Sequence, residues 1–252
     1  MVRELRRLLL SPDRLAAAAA TGAVPLSAPE QHYLARVLRL RSGDGFAVVD
    51  GAGHLWQASL CNGAAQLLQP HTAPLQVQSR PQPSLQLAVA LPRRDADVIL
   101  RMATELGIDA LQPITAERSV VERWNAERAA GLVREAVEQC ERLWAPQLLV
   151  PCPAAELLVA AKGLRLLATT RRAGLPPLER LLSDRLLNGR DGDQTSQICV
   201  AIGPEGGWSP GEEQTAIAHG WVAVQLGSTI LRTSTAAVAA ATLLANWRQR
   251  QG

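Results

Sequence analysis

The sequence predicts an α/β chain: a small β-rich module over residues 1–75, then a parallel sheet covered by helices on both faces over 76–252. Three observations carry this. From residue 85 onward, apolar runs alternate with stretches of helical periodicity. Those runs are continuously apolar, as strands buried on both faces are, rather than alternating. A stretch with prolines at 70, 74, 81 and 83 separates them from an earlier hairpin pattern, and is the predicted linker.

The elements follow in order. GFAVVDGAGHLWQASL (45–60) reads as two strands around a Gly-Ala-Gly turn, and AAQLLQ and LQVQ add shorter strand-like pieces. LQLAVAL (85–91) is the first buried strand. DADVILRMATELG then places Val98, Ile99, Met102 and Leu106 at helical spacing, with Gly107 as the stop. After the strand IDALQPI, the segment NAERAAGLVREAVEQCERL opens on a capping Asn125 and sets Leu132, Val133, Val137 and Cys140 on one face. LRLLATT (164–170), ICVAIGP (198–204) and WVAVQLG (221–227) are the later strands, each leading into a helix pattern.

Composition narrows the functional classes. At 47% hydrophobic and 19% charged, the 252-residue chain reads as globular and soluble. It has no uninterrupted apolar run of the ~18 residues that a membrane span needs. Pro12, Asp13 and Arg14 break the one leader-like stretch, which argues against secretion. Cys61, Cys140, Cys152 and Cys199 are scattered, and His32, His54, His71 and His219 lack metal-ligand spacing. Buried free thiols in a reducing compartment, without a metal, are therefore expected. Net charge is +3, but residues 1–41 alone carry +4, from Arg3, Arg6, Arg7, Arg14, Arg36, Arg39 and Arg41 against Glu4, Asp13 and Glu30. Such clustering suits either a nucleic-acid phosphate backbone or nothing beyond a genome's preference for Arg.

Ligands of parallel sheets bind at loops leaving the carboxyl ends of strands. Three loops qualify: Thr169–Ala173, Gly203–Ser209 and Gly227–Ser234. In AIGPEGGWSPGEE (201–213), Gly203, Gly206 and Gly207 allow positive φ and close approach to the backbone. Ser209, Pro210 and Glu212 spell a helix start with a capping box, and Glu213 is expected to face solvent. Neither GxxxxGK[ST] nor GxGxxG occurs, and Glu205 disfavours a phosphate there. A neutral or cationic ligand fits better. In the third loop Arg232 stands alone among apolar and hydroxyl residues, before hydroxyls able to cap an alanine-rich helix. Those alanines suit a plain buried helix or close packing on a second subunit equally well.

IGPEGG (202–207) paired with LGSTILRTSTA (226–236) resembles the RsmE family of 16S ribosomal RNA (uracil-N3) methyltransferases, within the SPOUT class. HYLARVLRLRSGDGFAVVDGAG (32–53), ATELGIDALQPITAERS (103–119) and EAVEQCER (135–142) are similar to further segments of that family, in order along the chain. The resemblance implies an N-terminal PUA-like β-barrel that engages RNA, a SPOUT domain whose last segments form a trefoil knot, and a cytoplasmic homodimer. It implies S-adenosylmethionine as cofactor, held by Thr169, Thr170, Ile202, Gly203, Gly206, Gly207, Leu226, Gly227, Ile230, Leu231 and Thr235. A sulfonium cation without a phosphate agrees with a glycine turn that carries a glutamate. Arg232 is the residue expected to stabilise the uracil oxygens or position a phosphate; Glu205 is either the general base or a shaper of the turn. Arg6, Arg7, Arg36, Arg39, Arg41 and Arg118 would grip the RNA of the small ribosomal subunit. The chain departs from the family pattern at Thr229, where Arg is usual, at Ser234, where Glu is usual, and near Arg101–Met102, where a Lys is usual. Two other readings remain open: an RNA-binding protein that keeps the fold without catalysis, and a SPOUT enzyme acting on another RNA.

Overall fold

Pairs of strands in register are what set the candidate loops side by side. The computed structural model describes residues 5–120, 124–170, 172, 174–188 and 196–251. Arg3 of the basic cluster and residues 171 and 173 of the first loop lie outside them. The chain divides into two compact units, Met1–Arg80 with Arg134–Ala145, and Pro81–Val133 with Pro146–Gly252.

In the first unit the strands are β1 (Arg7–Leu9), β2 (Ala23–Pro25), β3 (Gly45–Val49), β4 (His54–Cys61), β5 (Ala64–Leu67) and β6 (Gln76–Val77). Helices α1 (Pro12–Ala17) and α2 (Ala28–His32), the latter continued by a π-helical turn over Tyr33–Val37, lie between β1 and β3 in sequence. The sheet order is β1-β3-β4-β5-β2, with β6 pairing β4. The predicted hairpin is β3–β4, antiparallel, with Val49 opposite Leu55. Leu8, Leu34, Phe46, Val48 and Trp56 fill the core on one side of the sheet. Ala47, Val49 and Leu55 pack with Leu143 on the other, so β3 is apolar throughout rather than alternating. A single cut in the sequence at residue 75 could not include the segment from Arg134 to Ala145, which joins this unit from far along the chain.

The second unit contains β7 (Ser84–Val89), α3 (Ala96–Glu105), β8 (Ala110–Thr115), β9 (Gln147–Leu148), β10 (Cys152–Pro153), α5 (Ala154–Ala160) and β11 (Leu164–Ala168). After these come α6 (Leu178–Asn188), β12 (Gln197–Ile202), α7 (Pro210–Ala218), β13 (Val222–Val224) and α8 (Thr233–Gln249). Helix α4 (Ala126–Cys140) begins here, capped by Asn125, whose Oδ1 accepts from Arg128 N at 2.9 Å. The strands form a parallel sheet of order β10-β8-β7-β12-β11-β13, with β9 beside β8. Helices α3, α6 and α8 pack together on one side, and α5 and α7 on the other. Their buried indoles are satisfied: Trp221 Nε1 donates to Leu158 O at 2.8 Å, and Trp247 Nε1 to Leu182 O at 2.9 Å.

Two local expectations need correction. On α3 the buried side chains are Ile99, Leu100, Ala103 and Thr104, while Val98 and Met102 are substantially exposed. Helix α3 packs against α8, and its buried face runs through Ile99, Leu100, Ala103 and Thr104 instead. Not all thiols are buried either. Cys199 is, and burial pushes its pKa up to about 12; Cys61 is exposed, and all four are free.

Candidate functional site

The three ligand loops start at the same level of the sheet. Ile202 at the end of β12 pairs with Ala168 at the end of β11, and Ala168 pairs with Val224 at the end of β13. The turn after β12 lies between Ile202, which is buried, and Ser209. Gly207 has φ +73, a conformation that favours glycine. Gly203 and Gly206 do not have positive φ; they are glycines because of crowding. A Cβ at Gly203 would sit 3.0 Å from the Trp208 ring, and one at Gly206 would sit 3.1 Å from Arg118 Cβ. Trp208 is itself buried and donates from Nε1 to Ala168 O at 2.9 Å, tying the second loop to the first.

The capping box on α7 is as the sequence predicts. Ser209 N donates to Glu212 Oε2 at 2.9 Å, and Glu212 N to Ser209 Oγ at 3.2 Å. Glu212 Oε1 also accepts from Glu117 N at 2.9 Å. Glu213 does not face solvent: its Oε1 accepts from Thr169 Oγ1 at 2.7 Å, and its Oε2 lies 3.8 Å from Arg172 Nη1. One turn into α7, it faces the end of β11, which a linear reading of two adjacent glutamates cannot show. Thr169 is buried and Thr170 exposed. Glu205 is exposed at the tip of the turn.

The third loop differs. Gly227, Ser228, Thr229 and Ile230 are exposed, with Leu226 and Leu231 half-buried at its ends. Arg232 is the N-cap of α8 and exposed; its carbonyl accepts from Ala236 N at 2.8 Å, while its guanidinium makes no hydrogen bond or ion pair with any described residue. The hydroxyls after it do not cap the helix. Thr233 Oγ1 donates instead to Gly203 O at 3.1 Å, binding the start of α8 to the glycine turn, and Ser234 Oγ donates to Asp95 Oδ2 at 3.4 Å. Thr235 is exposed on the first turn. Sequence reasoning missed Trp208, Glu213 and Thr233 as partners within this site. The one available signal was an aromatic wedged between a glycine turn and a helix cap.

The predicted RNA-binding arginines fall into two groups. Arg6, Arg36, Arg39 and Arg41 are exposed in the first unit. Arg7 is not presented in that way: its Nη2 lies 3.0 Å from Glu141 Oε2, its Nη1 donates to Glu141 O, and the side chain is largely covered. Arg14 is likewise held by Glu30, at 2.6 and 2.8 Å. Arg118, in the second unit, donates from Nη1 to Gly206 O at 3.2 Å and Trp208 O at 3.3 Å, so it braces the turn. Among the described residues no group of His, Cys, Asp and Glu could hold a metal ion, and no helix is long and apolar enough to cross a membrane.

The site brings together a glycine turn, the carboxylates of Glu205 and Glu213, and the cations Arg118, Arg172 and Arg232. The family profile for the RNA methyltransferase domain matches residues 79–245, and that for the RNA methyltransferase PUA domain matches 26–60. Ribosomal RNA small subunit methyltransferase E of Synechocystis sp. is 38% identical over 239 residues, covering 91% of this chain and 74% of its own. The chain belongs to the ribosomal RNA small subunit methyltransferase E family. The Rickettsia conorii member is 30% identical, over 83% of each chain. Among solved structures, the Neisseria gonorrhoeae methyltransferase E bound to S-adenosylmethionine is 27% identical with a TM-score of 0.76, covering 96% of this chain and 98% of its own. A probable rRNA methyltransferase of Porphyromonas gingivalis, at 23% identity and TM-score 0.79 over 98% and 100% of the two chains, shares the fold. The family thus accounts for both the parallel α/β sheet and the N-terminal PUA domain.

Proposed function

We propose that this chain transfers a methyl group from S-adenosylmethionine to N3 of a uridine in 16S ribosomal RNA. The observation that carries the proposal is the glycine turn at the in-register ends of β11, β12 and β13, with the start of α8 tied to it through Thr233. The cofactor supplies a methyl group on a sulfonium centre. The donor set suits it: glycine backbone that admits close approach, and the carboxylates of Glu205 and Glu213 at the turn. Thr169, Thr170, Ile202–Gly207 and Leu226–Leu231 would hold it, with Thr235 at the edge.

Uracil N3 carries a weakly acidic imide proton, so methylation requires the proton to leave and the resulting charge on the uracil oxygens to be stabilised. Arg232, a cation on a rigid helix start beside the turn, does the second. Glu205 stands at the turn tip, where it accepts the proton or only shapes the loop. The groove contributes alignment of donor and acceptor, which is worth much of the barrier in such transfers.

RNA is gripped by the module over residues 1–75, through Arg6, Arg36, Arg39 and Arg41, with salt-dependent affinity. The reading includes a cytoplasmic homodimer whose alanine-rich α8 meets its partner, and a trefoil knot through the last loops of the second unit. Two measurements test the activity. Calorimetry with S-adenosylmethionine should show binding; no heat and no protection would overturn the catalytic reading. Nucleoside mass spectrometry on ribosomal RNA from a deletion strain should show loss of 3-methyluridine from the small subunit. Loss from another RNA instead would reassign the substrate.

A further inference from the structure

Beside the three-loop groove, the second unit holds a cleft of about 610 Å³ lined by none of the residues that the sequence singled out for cofactor or RNA. Its walls come from the loop after β7, the start of α3, the loop after β8 and the start of α4. Strand β7 pairs with β12, Val89 opposite Ile202, so the cleft opens at the carboxyl end of the strand next to the glycine turn. Two contacts join cleft and groove. Asp95 lines the cleft and accepts from Ser234, two residues past Arg232. Arg118, adjacent to the lining residue Ser119, donates to the turn at Gly206 and Trp208.

The chemistry of the walls selects the ligand class. Charge is balanced, with Arg93 and Arg128 against Asp95 and Asp97, and Arg128 is paired to Asp97. A phosphate finds no surplus cation there. The remainder is largely apolar, with Trp124 offering an aromatic face. A mostly apolar cleft of this size with a few polar groups is built for a small, neutral, ring-shaped ligand. Asp95 also has φ +68, a left-handed conformation uncommon outside glycine, at the wall shared with the start of α8. A base methylated on its Watson–Crick edge has to leave the RNA stack and be received by a pocket beside the methyl donor.

We propose that this cleft receives the unstacked uracil, with Trp124 as its stacking face and Asp95 at the wall shared with the start of α8. The proposal rests on the methyl-transfer reading above. The test compares the affinity of the full chain for a 16S fragment containing the methylated uridine with that for the same fragment abasic at that position. The intact protein should prefer the uridine fragment by about 5- to 150-fold, the usual worth of one base–aromatic stack. Trp124→Ala should abolish the preference and Trp124→Phe should restore most of it. Val98→Trp, at an exposed lining position, should abolish it by filling the cleft.

All variants should bind S-adenosylmethionine as the intact protein does. A Trp124→Ala protein that keeps the preference, or an intact protein that has none, overturns the cleft assignment while leaving methyl transfer standing. A Trp124→Ala protein that loses the cofactor too has lost its fold, and Val98→Trp then decides alone. An intact protein that distinguishes the fragments through Trp124 but binds no S-adenosylmethionine overturns the methyl-transfer reading and keeps the base site.

Discussion

The glycine turn after β12 and the loop after β13, the two walls of the proposed site, are built on opposite principles. Around Gly203–Gly207, the turn is held by Trp208 to Ala168 O, by Thr233 to Gly203 O, by Arg118 to Gly206 O, and by the Glu212 cap behind it. Across from it, Gly227–Ile230 is exposed, and Ile230 is 65% accessible despite being a large aliphatic residue. A turn braced from four sides sets the geometry of whatever it binds, because its backbone groups are already placed. On the methyl-transfer reading proposed above, the first wall would position the cofactor and the second, where Arg232 begins the next helix, would meet the substrate.

The sharpest way to break this contrast is Arg232→Ala. Removing the charge opposite developing uracil oxygens should slow single-turnover methyl transfer by roughly 100- to 1000-fold, the usual cost of losing one such stabilising group. Affinity for S-adenosylmethionine, measured by calorimetry, should change little. Wild-type transfer with unimpaired binding would remove Arg232 from the chemistry.

Next in size is a glycine pair. Gly203→Ala drives a methyl group against the Trp208 ring, which is anchored by its own hydrogen bond. Overpacking of that kind costs about 1–3 kcal/mol, and cofactor affinity should fall with it. Gly227→Ala meets nothing within 4 Å and has no positive φ to lose, so it should stay within about 0.5 kcal/mol of the parent in urea unfolding. Equal effects at the two glycines would mean that the walls are not different in kind. Glu212→Ala comes third. It removes the acceptor for Ser209 N and Glu117 N, and should cost about 1–2 kcal/mol. At this chain length that lowers the melting temperature by about 2–4 °C for each kcal/mol.

The difference between the walls was only half legible in the sequence. Ser209, Pro210 and Glu212 announce their cap because capping is a contact between residues three apart, and strands such as LQLAVAL announce their burial through composition. The bracing of the glycine turn depends on Trp208 reaching β11, Thr233 reaching back from α8 and Arg118 reaching in from the loop after β8. Those partners are brought together by a sheet order in which β11 lies between β12 and β13, and no local periodicity encodes that order. The same holds for Glu213, whose partner Thr169 follows β11, and for the exposed Val98 and Met102, whose helix packs against α8. The cleft beside Asp95 carries no motif at all, since its walls come from four separate stretches of chain.

The smallest effect serves as a control in the first unit. Glu138, on the part of α4 that belongs to the first unit, has its pKa pushed up to about 7. Burial is the main cause; Glu135 and Glu30 raise it further, while the hydrogen bond from Leu9 N, at 2.9 Å, and the charge of Arg134 pull it down. An acid whose pKa is higher folded than unfolded holds its proton longer in the native state. Stability from this group is therefore complete below the ordinary glutamate range, and is lost as pH rises from there through about 7. Allowing for solvent screening at a partly exposed site, the loss is about 1 kcal/mol. Glu138→Gln keeps an acceptor for Leu9 N and cannot ionise, so it should flatten the decline in unfolding free energy between pH 5 and pH 8. It should leave S-adenosylmethionine affinity at each pH unchanged. A parallel shift in cofactor affinity with pH, absent in the variant, would show that the groove is coupled to the first unit and that its braced wall is not set by the second unit alone.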